Sequence, residues 1–134
     1  MCPTRIRVKD MIITRYGNVN PLNETEINSV SDDIIYGNYQ FGVMRDGVFI
    51  PKYIGRSVSG LKIEIRQQWT NKVVNGNKRY THFRYKKVMS IKAAFEQECR
   101  DFHDYKGLDN IYHPAKPAGT DYACPVNGCN YDEE

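Results

Sequence analysis

The chain has no apolar run approaching the roughly 20 residues that a membrane span requires. Its first 15 residues are basic and lack a continuous apolar stretch, so they do not read as a secretory signal. A cytoplasmic, intracellular protein without a membrane partner is expected. Tryptophan occurs once, against 10 tyrosines and 5 phenylalanines. Flat side chains that also hydrogen-bond are therefore abundant. No biased tract implies disorder and no internal repeat is present, and a chain of 134 residues supports one core but not two.

Cysteine is scarce: the chain has Cys2, Cys99, Cys124 and Cys129. An intracellular setting argues against disulfides. Cys124 and Cys129 sit in CPVNGC with a wider gap than the two residues of most zinc knuckles. No spacing ties Cys2 or a histidine to them. Unliganded thiols are expected, and no structural zinc.

A large excess of one charge sign is missing overall, since the formal net charge is only +3. Locally it is not. Residues 72–92 contain no acid and carry Lys72, Lys78, Arg79, Arg84, Lys86, Lys87 and Lys92. Tyr80, Phe83 and Tyr85 interleave with these cations, and His82 lies among them. Such a stretch fits either a surface that tracks phosphates or a solvated strand face.

What is present is organised around Tyr36 to Trp69. A β-run from Asn38 to Arg45 ends at Asp46-Gly47, a strong hairpin signal. The returning run, Val48 to Ile54, contains Pro51, which predicts an edge position or a bulge. Gly55 closes it. Leu61, Ile65 and Trp69 then recur at helical spacing, predicting a helix over about 60–70. The hairpin thus delivers Tyr39 and Tyr53 beside Arg56, at a strand-to-helix junction suited to phosphate handling. Ordinary strand tyrosines would read the same way.

Elsewhere, Ile6 to Thr14 reads as a strand, Tyr16-Gly17-Asn18 as a turn, and 20–33 as a loop or a short helix from about Asn23. Asn75-Gly76-Asn77 is a second turn. Phe83, Tyr85 and Val88 suit a third strand, Ser90 an N-cap, and Ile91 to about Tyr105 a helix stopped by Gly107. The expected fold is α+β: a small antiparallel three-stranded sheet flanked by helices, with an N-terminal strand and loop addition.

On the second helix, Ile91, Ala94, Phe95 and Phe102 share a face at about 100° per residue, with Glu98 among them. Glu96 and Gln97 point elsewhere on this wheel. A carboxylate on a core-facing stripe needs a partner or a shifted pKa, because desolvating a charge is costly. A structural ion pair with an arginine and a metal ligand both satisfy that need.

Gly37-Asn38-Tyr39 followed by Tyr53-Ile54-Gly55-Arg56-Ser57 resembles the two-part signature of the GIY-YIG nuclease family. The first half departs from the pattern as GNY, and the Tyr39–Tyr53 gap is slightly longer than usual, as if the hairpin had gained a residue or more. Ala94-Phe95-Glu96-Gln97-Glu98 resembles the family's metal-binding helix, and Asn110 in LDNIYHPAKP falls near its later asparagine. The resemblance covers about residues 36–117, leaving 1–35 as an addition and 118–134 as an irregular tail of a single domain. It departs again on the first helix, where Glu64 and Gln68 occupy positions usually taken by arginine and by histidine or tyrosine. Arg66 lies roughly 200° around that helix from Glu64.

The resemblance implies a divalent-metal-dependent endonuclease that hydrolyses DNA phosphodiester bonds. Glu98 would hold one Mg²⁺ or Mn²⁺, Tyr39 or Tyr53 would orient or deprotonate water beside Arg56, His82 would relay the proton, and Asn110 would position the glutamate or a phosphate. DNA contacts would come from Arg56, Arg66, Lys78, Arg79, Arg84, Lys86 and Lys87. Specificity would rest on loops, on the N-terminal addition or on a homodimer. With Glu64 in place of arginine, the alternative is a catalytically impaired nucleic-acid-binding module. Whether such a nuclease would serve restriction, repair, a mobile element or a phage is left open.

Overall fold

Asp46 and Gly47 both take left-handed backbone conformations, φ 52° and 78°. Two positive φ values in succession give the hairpin turn whose twist matches its strands. It joins β2 (Gly37–Arg45) to β3 (Val48–Ser57). The pairing register jumps from Phe41 opposite Tyr53 to Gly42 opposite Pro51, so Lys52 is the bulged residue. Pro51 thus has both devices expected of it: a bulge, on a strand at the sheet's edge. Gly42 accommodates the bulge, since a Cβ there would lie 2.0 Å from the Ile50 carbonyl oxygen.

The computed structural model describes residues 16–129. The strand expected over Ile6–Thr14 lies outside them. In chain order the other elements are β1 (Asn20–Pro21), α1 (Glu24–Asn28), α2 (Leu61–Trp69) continued by a π-helical turn over Thr70–Val74, β4 (His82–Lys87) and α3 (Ile91–Asp104). The architecture is α+β, with an antiparallel sheet ordered β1-β4-β2-β3. β2, β3 and β4 are the three strands expected. The sheet gains a fourth because Asn20 and Pro21 pair with Phe83 and His82. Asn23 caps α1 by accepting from the Glu26 N–H at 2.9 Å, and Ser90 caps α3 by accepting from Ala93 at 3.1 Å.

One face of the sheet holds the core: Tyr39, Phe41, Tyr80 and Phe83 pack with Leu61 and Ile65 of α2 and with Leu22, Ile27 and Val30. Gly37 lets α2 approach, because a Cβ would lie 2.9 Å from both Leu61 Cδ2 and the Lys86 carbonyl oxygen. α3 covers the other face. There Asn38, fully buried, donates from Nδ2 to the Ala94 carbonyl at 2.9 Å.

The packed face of α3 differs from the wheel drawn from its apolar residues. Ala94 and Phe95 are buried as expected, but so are Gln97, Cys99 and Asp101, while Ile91 is exposed. Polar partners on the sheet explain the difference. Gln97 donates to Asp101 at 2.9 Å and accepts from Lys86 at 3.2 Å, so this face is built to receive hydrogen bonds. Among the described residues no helix is long and apolar enough to cross a membrane.

Candidate active site

The β3 edge of the sheet owes its chemistry to a missing side chain. Tyr39 and Gly55 are opposite partners on β2 and β3, and a Cβ on Gly55 would fall 2.4 Å from both Cζ and Oη of Tyr39. Glycine at that position lets the buried phenol lie with its hydroxyl over the edge strand β3. The Tyr53 ring lies 6.3 Å from it, centroid to centroid. The Tyr39 hydroxyl donates to Oε2 of Glu64 on α2 at 2.8 Å.

Burial is the main reason that both phenols hold their protons. It drives Tyr39 well above the usual tyrosine range, with Tyr53 and Glu64 adding to the effect. Tyr53 is pushed up to about 12, by burial first and then by Glu98 and Glu64, against a hydrogen bond with Tyr39. At neutral pH these are hydrogen-bond donors. The expected role of deprotonating water directly does not suit them; orienting it does.

Glu98 reaches this edge from α3. Arg56 of β3 binds its Oε1 through Nη1 at 2.8 Å, with side chains 19% and 14% exposed. The same guanidinium donates through Nη2 to the Ala115 carbonyl at 2.6 Å and lies 5.4 Å from the Phe95 ring centroid. Even so, burial pushes Glu98 up to about 7, outweighing the attraction of Arg56, and Asp101 and Glu64 act in the same direction. One guanidinium does not offset the desolvation of this carboxylate. The donors at hand are carboxylate and phenol oxygens, the hard ligands that Mg²⁺ and Mn²⁺ take.

A cation named in the basic stretch, but not among the expected site residues, sits at the same place. Lys72, carried by the π-helical turn, places Nζ 4.2 Å from the Tyr53 ring centroid. The turn is wide because Asn75 N–H bonds to the Thr70 carbonyl at 2.8 Å, five residues back. Gly76 then folds against it, where a Cβ would lie 2.4 Å from the Lys72 carbonyl oxygen. An i→i+5 turn leaves no distinctive sequence pattern, so helical periodicity gave no reason to place Lys72 over Tyr53.

Other expected site residues lie elsewhere or are committed differently. Asn110 is adjacent, but its amide clamps the backbone of Ile54, accepting from N–H at 2.9 Å and donating to C=O at 3.0 Å. It fastens the C-terminal segment to the edge strand and does not bond Glu98. His82 pairs with Gly42, three residues along β2 from Tyr39 and so roughly 10 Å away. Its Nδ1 contacts Thr81 Oγ1 at 2.8 Å. It does not join the phenols, and the relay expected of it has no geometric basis.

The basic strand divides in the same way. Arg84 bonds Gln40 at 2.7 Å and Tyr105 at 3.2 Å, and its guanidinium faces the rings of Phe49 and Tyr16. Lys86 bonds Gln97, and burial lowers its pKa. These two cations serve the polar layer under α3 and do not form an outer phosphate track. Arg66 donates to Asn28. Lys78 pairs with Asp109 at 3.6 Å, and both Lys78 and Arg79 are exposed next to the Tyr53–Tyr80 stack. Lys87 is exposed at the far end of β4.

Set against family models, curated proteins and solved structures, the chain matches none of them. The chemistry therefore has to be read from the site itself. Two protonated phenols, a carboxylate bonded to one of them, a desolvated carboxylate at the same edge and an adjacent ammonium can bind a phosphate and move a proton. Tyr39 donates to Glu64 and shares a hydrogen bond with the less buried Tyr53, a short path for a proton leaving a water at Tyr53.

Proposed function

We propose that the protein is a divalent-metal-dependent endonuclease of the GIY-YIG type acting on DNA. The observation that carries this reading is the meeting of the two tyrosines of the GNY and YIG segments with Glu64 and Glu98 at one sheet edge, close enough for each carboxylate to raise both phenols. The interlock of Tyr39 with Gly55 supports it further, because it gives both segments a reason to coexist.

Hydrolysis of a phosphodiester requires a positioned water, a sink for its proton and compensation for charge on the phosphate. Tyr53 orients the water. The water's proton passes to Tyr53 as the proton of Tyr53 moves to Tyr39 and that of Tyr39 to Glu64, so the carboxylate that departs from the family pattern becomes the proton sink. Lys72, beside Tyr53, supplies positive charge to the phosphate where the pattern has arginine. Arg56 holds Glu98 in place. A divalent cation bound at Glu98 would act as a Lewis acid on a phosphate oxygen, and the ester oxygen released as the water oxygen bonds to phosphorus takes its proton from solvent. Lys78 and Arg79, exposed beside this edge, bind the flanking backbone electrostatically.

The commitment of Arg56 and Asn110 to internal contacts favours the alternative, a binding module without catalysis. Incubating supercoiled plasmid with the full chain in Mg²⁺, Mn²⁺ or EDTA separates the two. The nuclease reading expects metal-dependent conversion to nicked or linear DNA and none in EDTA. Retained DNA binding with no conversion under any metal would establish the module instead.

A further inference from the structure

A second group of ligands lies away from the phenols. His103 at the end of α3 and His113, Cys124 and Cys129 of the C-terminal segment bring one ligand atom each to within 4.8 Å of one another. We propose that these four side chains form a tetrahedral zinc site that fastens the C-terminal segment to α3.

The distances suit the metal. Zinc–sulfur and zinc–nitrogen bonds of about 2.3 and 2.0–2.1 Å at a tetrahedral angle place the two ligand atoms roughly 3.6 Å apart. Cys129 Sγ and His113 Nε2 are 3.5 Å apart. The other ring nitrogen of His113, Nδ1, faces the Pro114 carbonyl at 2.9 Å. With Nδ1–H donating there, Nε2 carries the lone pair toward the cysteine, the outer-shell arrangement that orients a ligating histidine. The His103 ring is 5.3 Å from that of His113, centroid to centroid.

The loop between the cysteines is shaped accordingly. Cys129 N–H bonds to the Val126 carbonyl at 3.2 Å, and Gly128 takes φ 86°, so the chain turns back and returns Cys129 to Cys124. Two thiolates and two imidazoles form a closed, charge-neutral set for Zn²⁺, unlike the hard oxygen donors at Glu98. Sequence spacing argued for free thiols because the CPVNGC gap is wider than in most zinc knuckles and no spacing ties a histidine to it; the fold nevertheless brings His103 and His113 to both cysteines.

The site has a structural consequence. Between His103 and Cys124 the chain supplies Asp109, which donates to the bulged Lys52 carbonyl at 2.6 Å, then the Asn110 clamp, then the Ala115 carbonyl that holds Arg56. Zinc closes this segment into a loop strapped across the edge strand, and its loss would release the strap.

Elemental analysis of the full chain, purified without chelator, tests the proposal. About one zinc per chain is expected, with a Co²⁺-exchanged protein showing the intense visible bands of tetrahedral sulfur–nitrogen coordination. Cys129→Ser and His113→Asn are expected to lose the metal, while Cys99→Ala and Glu98→Gln keep it. Should the first two variants fail to fold, the wild-type zinc content and cobalt spectrum decide alone. Background zinc, an octahedral cobalt spectrum, or a metal-free chain with Cys124 and Cys129 in a disulfide would each overturn the site. Zinc content is independent of DNA cleavage, so failure of either reading leaves the other standing.

Discussion

The Tyr39 hydroxyl is central at the level of single residues, because it is buried and yet joins both tyrosine segments to Glu64 in the candidate site. Tyr39→Phe removes the donor to Glu64 and should cost about 1 kcal/mol of stability while lowering cleavage by at least about a hundredfold. Urea denaturation and single-turnover cleavage measure the two effects separately. Glu64 yields a sharper contrast. Glu64→Arg deprives a buried hydroxyl of its acceptor, and an unsatisfied buried donor costs about 1–3 kcal/mol, so loss of both stability and cleavage is expected. A gain in cleavage would instead place position 64 against the phosphate and remove the proton path through Tyr39. This residue shows where sequence reading stopped. The pattern marked Glu64 as a defect, because register on a helix says which face it occupies but not which hydroxyl waits there.

At the scale of elements, the tight pairing of β2 with β3 makes Gly55 a sensitive position. The 2.4 Å approach to Tyr39 involves a ring fixed in the core, not the end of a flexible chain. Gly55→Ala should therefore destabilise the fold by about 1–3 kcal/mol, seen as a lower denaturation midpoint with an unchanged m-value. A neutral result would mean that Tyr39 can leave its position over β3. Much of this level was legible beforehand. Asp46-Gly47 announced the hairpin, Pro51 the bulge and edge, and Ser90 the start of α3, because turns, bulges and caps depend on local backbone chemistry. The buried face of α3 was not legible. Gln97 and Asp101 are buried because Lys86, Tyr16 and each other supply their hydrogen bonds, and such partners are fixed only by tertiary contact.

Over the whole molecule, the cations divide between those held in internal contacts and those left exposed. Arg84, held by Gln40, Tyr105 and two rings, should matter for stability. Arg79, exposed beside the candidate site, should matter for binding. Arg79→Ala is expected to leave the denaturation midpoint in place and to reduce the slope of log affinity against log salt by about 0.9. Arg84→Ala should lower the midpoint and leave that slope unchanged; a reversed pattern would mean that the β4 face meets DNA. The central claim is that the edge holding Tyr39, Tyr53, Glu64 and Glu98 hydrolyses phosphodiesters with a cation on Glu98. Its most direct test is plasmid cleavage by wild-type protein and Glu98→Gln at equal DNA occupancy in Mn²⁺. Metal-dependent cleavage by the wild type is expected, with a loss of at least about a hundredfold in the variant and DNA affinity retained. Cleavage by Glu98→Gln at the wild-type rate would contradict it.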